Sequence, residues 1–472
     1  QVTISFSGEG VPEPIKIEGD TQAIVFGGSK EKDLSGNTSI TMDSGKVGYL
    51  IGGGWGTRGK SPSDPKTANV QDVTINVTGG TVGLIYSGGL YRANVDDIHL
   101  TFKNATASHI YCGGFDQGQT TNTIDTPWDS SVNHVISSTL EMDNATVKGY
   151  LFLGGGQGYS YSKTVNATIS NSTLRGGVLG TGSNGRSDKV IAVLNSVTFA
   201  QAEGSSMMIE IAALNRGVVG DVDMTFNGCT FPSNTNSYKC YAGATYQYDG
   251  KSTVRLGKAT MTFTDNTNTP TVGISSGLDD ANVTINGAPV EIAAFDAGNS
   301  ITDKDFTIAT DKTWAFNNGL TIADDVTLTN NGTLEVSVSN ADQLAAAVKA
   351  GANKVTMAAG DYALSSQLTI NKAITLEGSV YDNGTPATTI KANTTINWPT
   401  TNSKGETVTD NTKANLISIV AGNAADVTLK NIRVQESKAA GINVQTASKV
   451  TLENIACENN TTAGLLVHAP VE

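Results

Sequence analysis

The chain has 472 residues, 52 of them Gly and 4 Cys, and its 31 Lys plus Arg against 44 Asp plus Glu leave a net charge of −13. That charge is spread thinly, with no Lys/Arg cluster to follow a phosphate backbone, which argues against nucleic acid as a partner. No apolar run approaches the roughly 20 residues needed to cross a bilayer, so no membrane span is expected, and the length suits two or three domains.

Residues 1–35 read as an N-terminal β segment or cap. Neither an initiator Met nor a charged-then-apolar leader is present, so Gln1 is expected to follow a removed signal peptide and the protein to be secreted or held at the cell surface. Residues 36–335 then repeat loosely. An apolar strand position is followed thirteen residues later by a Gly corner at Ile40/Gly53, Ile75/Gly88, Leu100/Gly113 and Ile169/Gly182, with Leu140/Gly154 one residue longer. Alternating strands joined by Gly or Asn corners, with loops of variable length between units, predict the coils of an irregular β-solenoid. Within that region, 224–335 loses the Gly-Gly corner while the alternation continues, so degenerate coils and a separate β linker both fit.

Cys229 and Cys240 flank a polar loop that a disulfide could close in an oxidising compartment, whereas Cys112 and Cys457 read as small core residues. No Cys-x-x-Cys pair or His cluster points to a metal.

From Val336 the pattern sharpens. Ser339-Asn-Ala-Asp342 has capping-box spacing, and Leu344 and Val348 share one face of a helix over 341–350 that Gly351 ends. Short strands follow at Lys354–Met357, Leu368–Ile370 and Ile374–Leu376, with a loop at 383–415. A 23-residue step then relates Val427-Thr-Leu-Lys-Asn-Ile432 to Val450-Thr-Leu-Glu-Asn-Ile455. One coil per repeat aligns Ile374, Val427 and Val450, then Leu376, Leu429 and Leu452, then Gly378, Asn431 and Asn454 at the corner. The strand Leu465–Val467 has no cap after it, which predicts further coils or self-association there.

Residues 336–472, through Asn340-Ala-Asp-Gln-Leu344, Gly360-Asp-Tyr362, Leu368-Thr-Ile370 and Ile374-Thr-Leu376, resemble the start of right-handed parallel β-helix proteins of the pectate-lyase-like superfamily. The resemblance implies an all-β, right-handed parallel β-helix with a helix capping its first coil and corner asparagines stacked along the axis at Asn431 and Asn454. The Gly-Gly-Gly repeats at Gly52 and Gly154 resemble those of bacterial adhesin-like surface proteins. Enzymes of the superfamily carry Gly-His-Gly and Arg-x-Lys segments or acidic calcium ligands, and those segments are missing here.

The Gly-rich corners lack the Lys-Ser/Thr and the following helix of a phosphate loop, so tight turns account for them. The aromatic and basic residues after the corners are the binding candidates: Trp55, Arg58, Tyr91, Arg92, Phe115, Tyr159, Tyr161 and Arg186. Spaced by one coil of ~4.8 Å, they would form a strip that stacks on sugar rings, or a ladder that packs the loops. Asp96, Asp97, Asp221 and Asp223 are the catalytic or calcium-ligand candidates, though acids also favour turns. Asn-x-Ser/Thr triplets read as a product of composition. The expected function is a secreted surface protein of adhesin-like or glycan-binding type with no cofactor, its partner a polysaccharide or surface glycan. A polysaccharide lyase or glycoside hydrolase, and a structural subunit of a surface layer or fibre, are the alternatives.

Overall fold

The computed structural model describes residues 2–6, 15–17, 23–59, 63–116, 133–156, 158, 160–182, 184–201, 207–213, 217–234, 238–243, 255–274, 278, 280–293, 305–393, 400–401, 407–408 and 414–468. Contacts divide the chain into two compact units, Gln1–Thr284 with Ala294–Asp303, and Ile285–Ala293 with Lys304–Glu472. The fold is the expected right-handed parallel β-helix.

In the first unit, Thr38–Met42, Val70–Val77, Val95–Lys103, His134–Asp143, Tyr161–Ser170, Arg186–Asn195, Val218–Asn227 and Arg255–Thr264 pair in parallel, each with the next. Between them the chain visits a second parallel sheet that starts with Ile24–Phe26, Lys46–Ile51, Gly80–Tyr86 and Ala105–Tyr111. One strand per sheet per coil is the solenoid plan, and alternation decides what each strand buries. Ile40, Ile75, Leu100, Leu140, Ala167, Ala192, Met224 and Met261 stand in one register column, all at most 4% exposed. The sequence column needs one correction: Ile169 pairs with Met142, and Ala167 is the neighbour of Leu140. Met224 and Met261 lie in regular coils, so this part of 224–335 is degenerate solenoid. Val2–Phe6 joins Thr38–Met42 antiparallel.

The turn between the two sheets explains the Asn-x-Thr triplets. Asn104, Asn144, Asn171, Ser196, Gly228 and Asp265 hold φ between +47° and +59°, the left-handed corner that Asn and Gly tolerate best. The Asn144 side chain donates to Asn104 Oδ1 at 2.8 Å, and that of Asn171 to Asp143 Oδ1 at 2.9 Å. Two residues past each of these corners stands a threonine, and Thr81, Thr106, Thr146, Thr173, Thr198, Thr230 and Thr267 are successive register partners. The triplets at 104, 144 and 171 are therefore corner-plus-ladder signatures rather than a product of composition.

All four cysteines are free. Cys240 faces inward opposite Ile209, and the Cys229 thiol donates to the Leu194 carbonyl at 3.3 Å, so the Cys229–Cys240 disulfide is not formed.

In the second unit, Thr313–Phe316, Thr333–Val338, Lys354–Met357 and Ile374–Glu377 pair in parallel and lead into Ile417–Gln435 and Ala440–Glu458. The expected registers Ile374–Val427–Val450 and Leu376–Leu429–Leu452 are observed. The helix is Ala341–Lys349, and its N-cap is Asn340, whose side chain accepts from the Gln343 amide at 3.0 Å while Gln343 Oε1 accepts from the Ser339 amide. The capping box thus runs one residue later than its sequence spacing suggested. Leu344 and Val348 are buried as expected, together with Ala347. Because Trp314–Leu334 and Val336–Val355 continue the register on its N-terminal side, the helix fills one coil of a continuing stack rather than covering the stack's first coil. The 383–415 loop contains the strand Thr388–Ala392, paired with Gly360–Leu364, while Trp398-Pro399 lies outside the described residues. Ala463–Val467 pairs with Ala440–Val444, and Leu465 and Val467 are exposed.

The asparagine corner recurs here. Asn431 and Asn454 have φ of +58° and +52°, and Asn454 Nδ2 donates to Asn431 Oδ1 at 2.9 Å. Asn454→Ala removes that bond and places a Cβ residue with no compensating polar group in the left-handed region, so urea unfolding of the full chain should show a loss of about 2 kcal/mol. Asn454→Gly keeps the corner and should lose only about 1 kcal/mol.

Candidate functional site

The expected aromatic strip does not form an open surface. Trp55, Leu90 and Phe115 are bridge partners, so Tyr91 falls out of rank. Tyr91, Arg92, Phe115 and Tyr161 are at most 8% exposed and cannot offer a free face to a ligand. Tyr91 and Phe115 pack with Ile51, Tyr86 and Leu90, and half-buried Trp55 leans on the cluster 6.1 Å from the Tyr91 ring. Arg92 donates to the Gly59 carbonyl at 3.0 Å, and Arg58 lies 5.7 Å over Tyr91. Tyr161 donates to the Asp188 carboxylate, and its ring carries the Arg186 guanidinium at 4.9 Å. Tyr159 lies outside the described residues.

A stacked aromatic rank stands on the other side of the corners, with an open rank beside it. Counting back two residues from the corner glycines gives Ile51, Tyr86, Tyr111 and Phe152, which are register partners on the second sheet and continue from Phe26. The intervening residues Leu50, Ile85, Ile110 and Leu151 fill the core, so by alternation this rank lies on the other side of the sheet, where Ile51, Tyr86 and Phe152 are buried in turn and Tyr111 is half-buried. Tyr86 and Tyr111 stack at 4.9 Å, and Tyr111 and Phe152 at 4.5 Å with planes 9° apart. A second rank beside it holds Ile24, Tyr49, Leu84 and His109, and Tyr150 follows with its ring 5.8 Å from His109. Ile24 and Tyr49 are 46% and 41% exposed, and Tyr111, His109 and Tyr150 are half-buried. The result is a ridge of rings, filled from below by the Tyr86 rank and open along the Tyr49–Tyr150 rank.

Its polar groups are donors. Burial pushes the Tyr111 phenol up to about 12, and burial also raises Tyr86 and Tyr150, the latter with help from the Glu210 carboxylate. These hydroxyls stay protonated and can donate hydrogen bonds, but they make poor general bases. Desolvation lowers the His109 pKa, and its Nδ1 accepts the Tyr150 amide hydrogen at 2.9 Å. Exposed Lys148 and Arg175 follow the register partners Val147 and Leu174, next to the threonine ladder.

The acids fall into two separate groups, Asp96 with Asp97 and Asp221 with Asp223. Asp72, Asp97, Ser137, Thr164, Lys189, Asp221 and Lys258 form one outward column of the first sheet. Four rungs separate Asp97 from Asp221, about 19 Å at the usual strand spacing, too far for a catalytic pair. Asp96 and Asp97 are exposed. Asp221 and Asp223 line a groove of about 170 Å³ with Lys189, Lys258 and Thr260. Among the described residues no three His, Cys, Asp or Glu side chains gather as a metal site, and no helix is long and apolar enough to cross a membrane.

No protein-family model matches the chain, and no curated protein does. A solved structure of a mutant PL6 family alginate lyase, AlyGC, is similar over 92% of this chain and 72% of its own, at 11% identity and a TM-score of 0.19. The coil registers above therefore carry the fold assignment by themselves.

Proposed function

We propose that the protein is a carbohydrate-binding β-helix of the secreted or cell-surface kind, and that the Tyr49–Tyr150 face of the first unit is where the glycan lies. The carrying observation is the outer rank in which exposed Tyr49 is followed by Leu84, His109 and Tyr150, the last two rings 5.8 Å apart, backed by the stacked rings of Tyr86, Tyr111 and Phe152. Such a row matches an extended chain of sugar rings whose apolar faces stack on aromatics while hydroxyls meet phenol and threonine partners. Protonated phenols at this face favour binding there over turnover, and the Asp221–Asp223 pair lies on the other sheet.

The test is affinity electrophoresis of the full chain through gels containing single neutral or acidic polysaccharides, with reducing and unsaturated ends assayed in parallel. Retardation without new ends supports the proposal. New ends would support the lyase or hydrolase alternative, and free migration in every gel would remove the binding function.

A further inference from the structure

The groove of about 170 Å³ on the first sheet crosses consecutive rungs, lined by Lys189 and Ile191, then Asp221 and Asp223, then Lys258 and Thr260. Its charges stand in register but are not joined. Lys189, Asp221 and Lys258 are register partners in one column, and Ile191, Asp223 and Thr260 are partners in the column two residues on. Elsewhere such neighbours close into ion pairs, as the register partners Lys430 and Glu453 do at 3.2 Å. Among the described residues, none of Lys189, Asp221, Asp223 and Lys258 makes an ion pair. Thr260 Oγ1 is covered by protein and has no hydrogen-bond partner among them, an omission that costs stability unless a ligand supplies the missing bond.

The balance of charge is local. Asp221 stands between two lysines, so Lys189 offsets it and the Lys258 ammonium is in excess, beside the Thr260 hydroxyl on the same strand. Asp223 stands between an isoleucine and a threonine, so its carboxylate has no cation in its own column. A surplus negative charge and a surplus positive charge therefore lie one rung apart, ~4.8 Å along the stack. We infer that this groove binds a zwitterionic saccharide, an amino sugar with a free amine linked to a uronic acid, its ammonium on Asp223 and its carboxylate on Lys258 and the Thr260 hydroxyl.

The chemistry of the lining selects that class. A neutral sugar leaves both surplus charges unmet, and a purely acidic one meets Lys258 while its carboxylates face Asp221 and Asp223. A metal ion is opposed by the two ammonium groups, and among the described residues no three His, Cys, Asp or Glu side chains gather here. An α-amino acid holds its ammonium and carboxylate on one carbon, too close together to span a rung. Neighbouring sugars of an extended chain separate them enough, and each contact is then a charge-assisted hydrogen bond, stronger than a neutral one. The groove lies on the first sheet and the Tyr49–Tyr150 face on the second, so this site stands or falls independently of that face.

The experiment is titration calorimetry of the full chain at about pH 6, where a sugar amine is protonated and aspartate ionised, with three hexasaccharides. De-N-acetylated hyaluronan carries both charges, hyaluronan only the acid, and chitosan only the amine. The native protein should bind de-N-acetylated hyaluronan about tenfold or more tightly than either of the others. Asp223→Asn should abolish the preference over hyaluronan, and Lys258→Gln the preference over chitosan, with circular dichroism confirming that both variants are folded. No binding of de-N-acetylated hyaluronan, or equal binding of hyaluronan or chitosan by the native protein, overturns the proposal, and this native comparison decides even if a variant misfolds. A native preference that survives both substitutions also overturns it, because the zwitterion then binds outside the groove.

Discussion

Gly177→Ala should destabilise the first unit by more than about 4 kcal/mol, enough to leave little folded protein at 37 °C. Gly177 has a φ of +106° and sits directly over the next rung, where an added Cβ would overlap the Met208 carbonyl oxygen. That oxygen cannot retreat. Met208 is the register partner of Gly177, and its own amide is bonded to the Gly176 carbonyl at 2.8 Å, so a shift would break the ladder on both sides. Gly45 provides the control, since it also has positive φ, +89°, but open space around its Cα. Gly45→Ala should lose only about 1 kcal/mol, from backbone strain alone. Urea unfolding followed by circular dichroism separates the two, and equal losses would mean that rung contact is not what constrains Gly177.

Trp314→Ala should be nearly as damaging to the second unit. Trp314 is 0% exposed, pairs in register with Leu334 and has its ring 6.2 Å from Phe316. A solenoid coil is narrow, so few side chains are available to collapse into the space an indole leaves. The expected loss is about 3–5 kcal/mol, whereas Trp314→Phe keeps most of the volume and should lose about 1–2 kcal/mol. Thermal unfolding of the full chain checks both, and an alanine variant as stable as the phenylalanine variant would show that the coil repacks.

The second unit was the more legible half because its repeat carries two signals at once. Val427 and Val450 give the strand, Asn431 and Asn454 give the corner, and both fix the same 23-residue step. In the first unit the apolar column is readable until Ile169, where Ala167 takes the column's place opposite Leu140, Ile169, equally buried, pairs with Met142, and only the pairing shows it. The aromatic face was missed for a related reason. Rings stand both before and after the corners at Gly88 and Gly113, and sequence alone does not say which of them are open. Those after them, at Tyr91 and Phe115, fold back onto Tyr86 and Tyr111 and bury with them in one cluster, while the open rings stand two residues further back, at Tyr49 and Tyr150. The Asn-x-Thr spacing around Asn104, Asn144 and Asn171 was the available clue to where each coil starts. The acids misled because distance along a solenoid is counted in rungs, which loops of variable length conceal.

Carbohydrate binding proposed for the outer Tyr49–Tyr150 face is tested most directly by the dissociation constant for whichever polysaccharide retards the native protein, taken for the native chain, Tyr49→Ala, Tyr150→Ala and Asp97→Asn. Each open ring should contribute about 1.4 kcal/mol to stacking, so each tyrosine variant should bind about tenfold more weakly, while circular dichroism stays native and Asp97→Asn binds as the native protein does. Native affinity in both tyrosine variants, or loss of affinity in Asp97→Asn alone, would contradict the account and move the site to the first sheet.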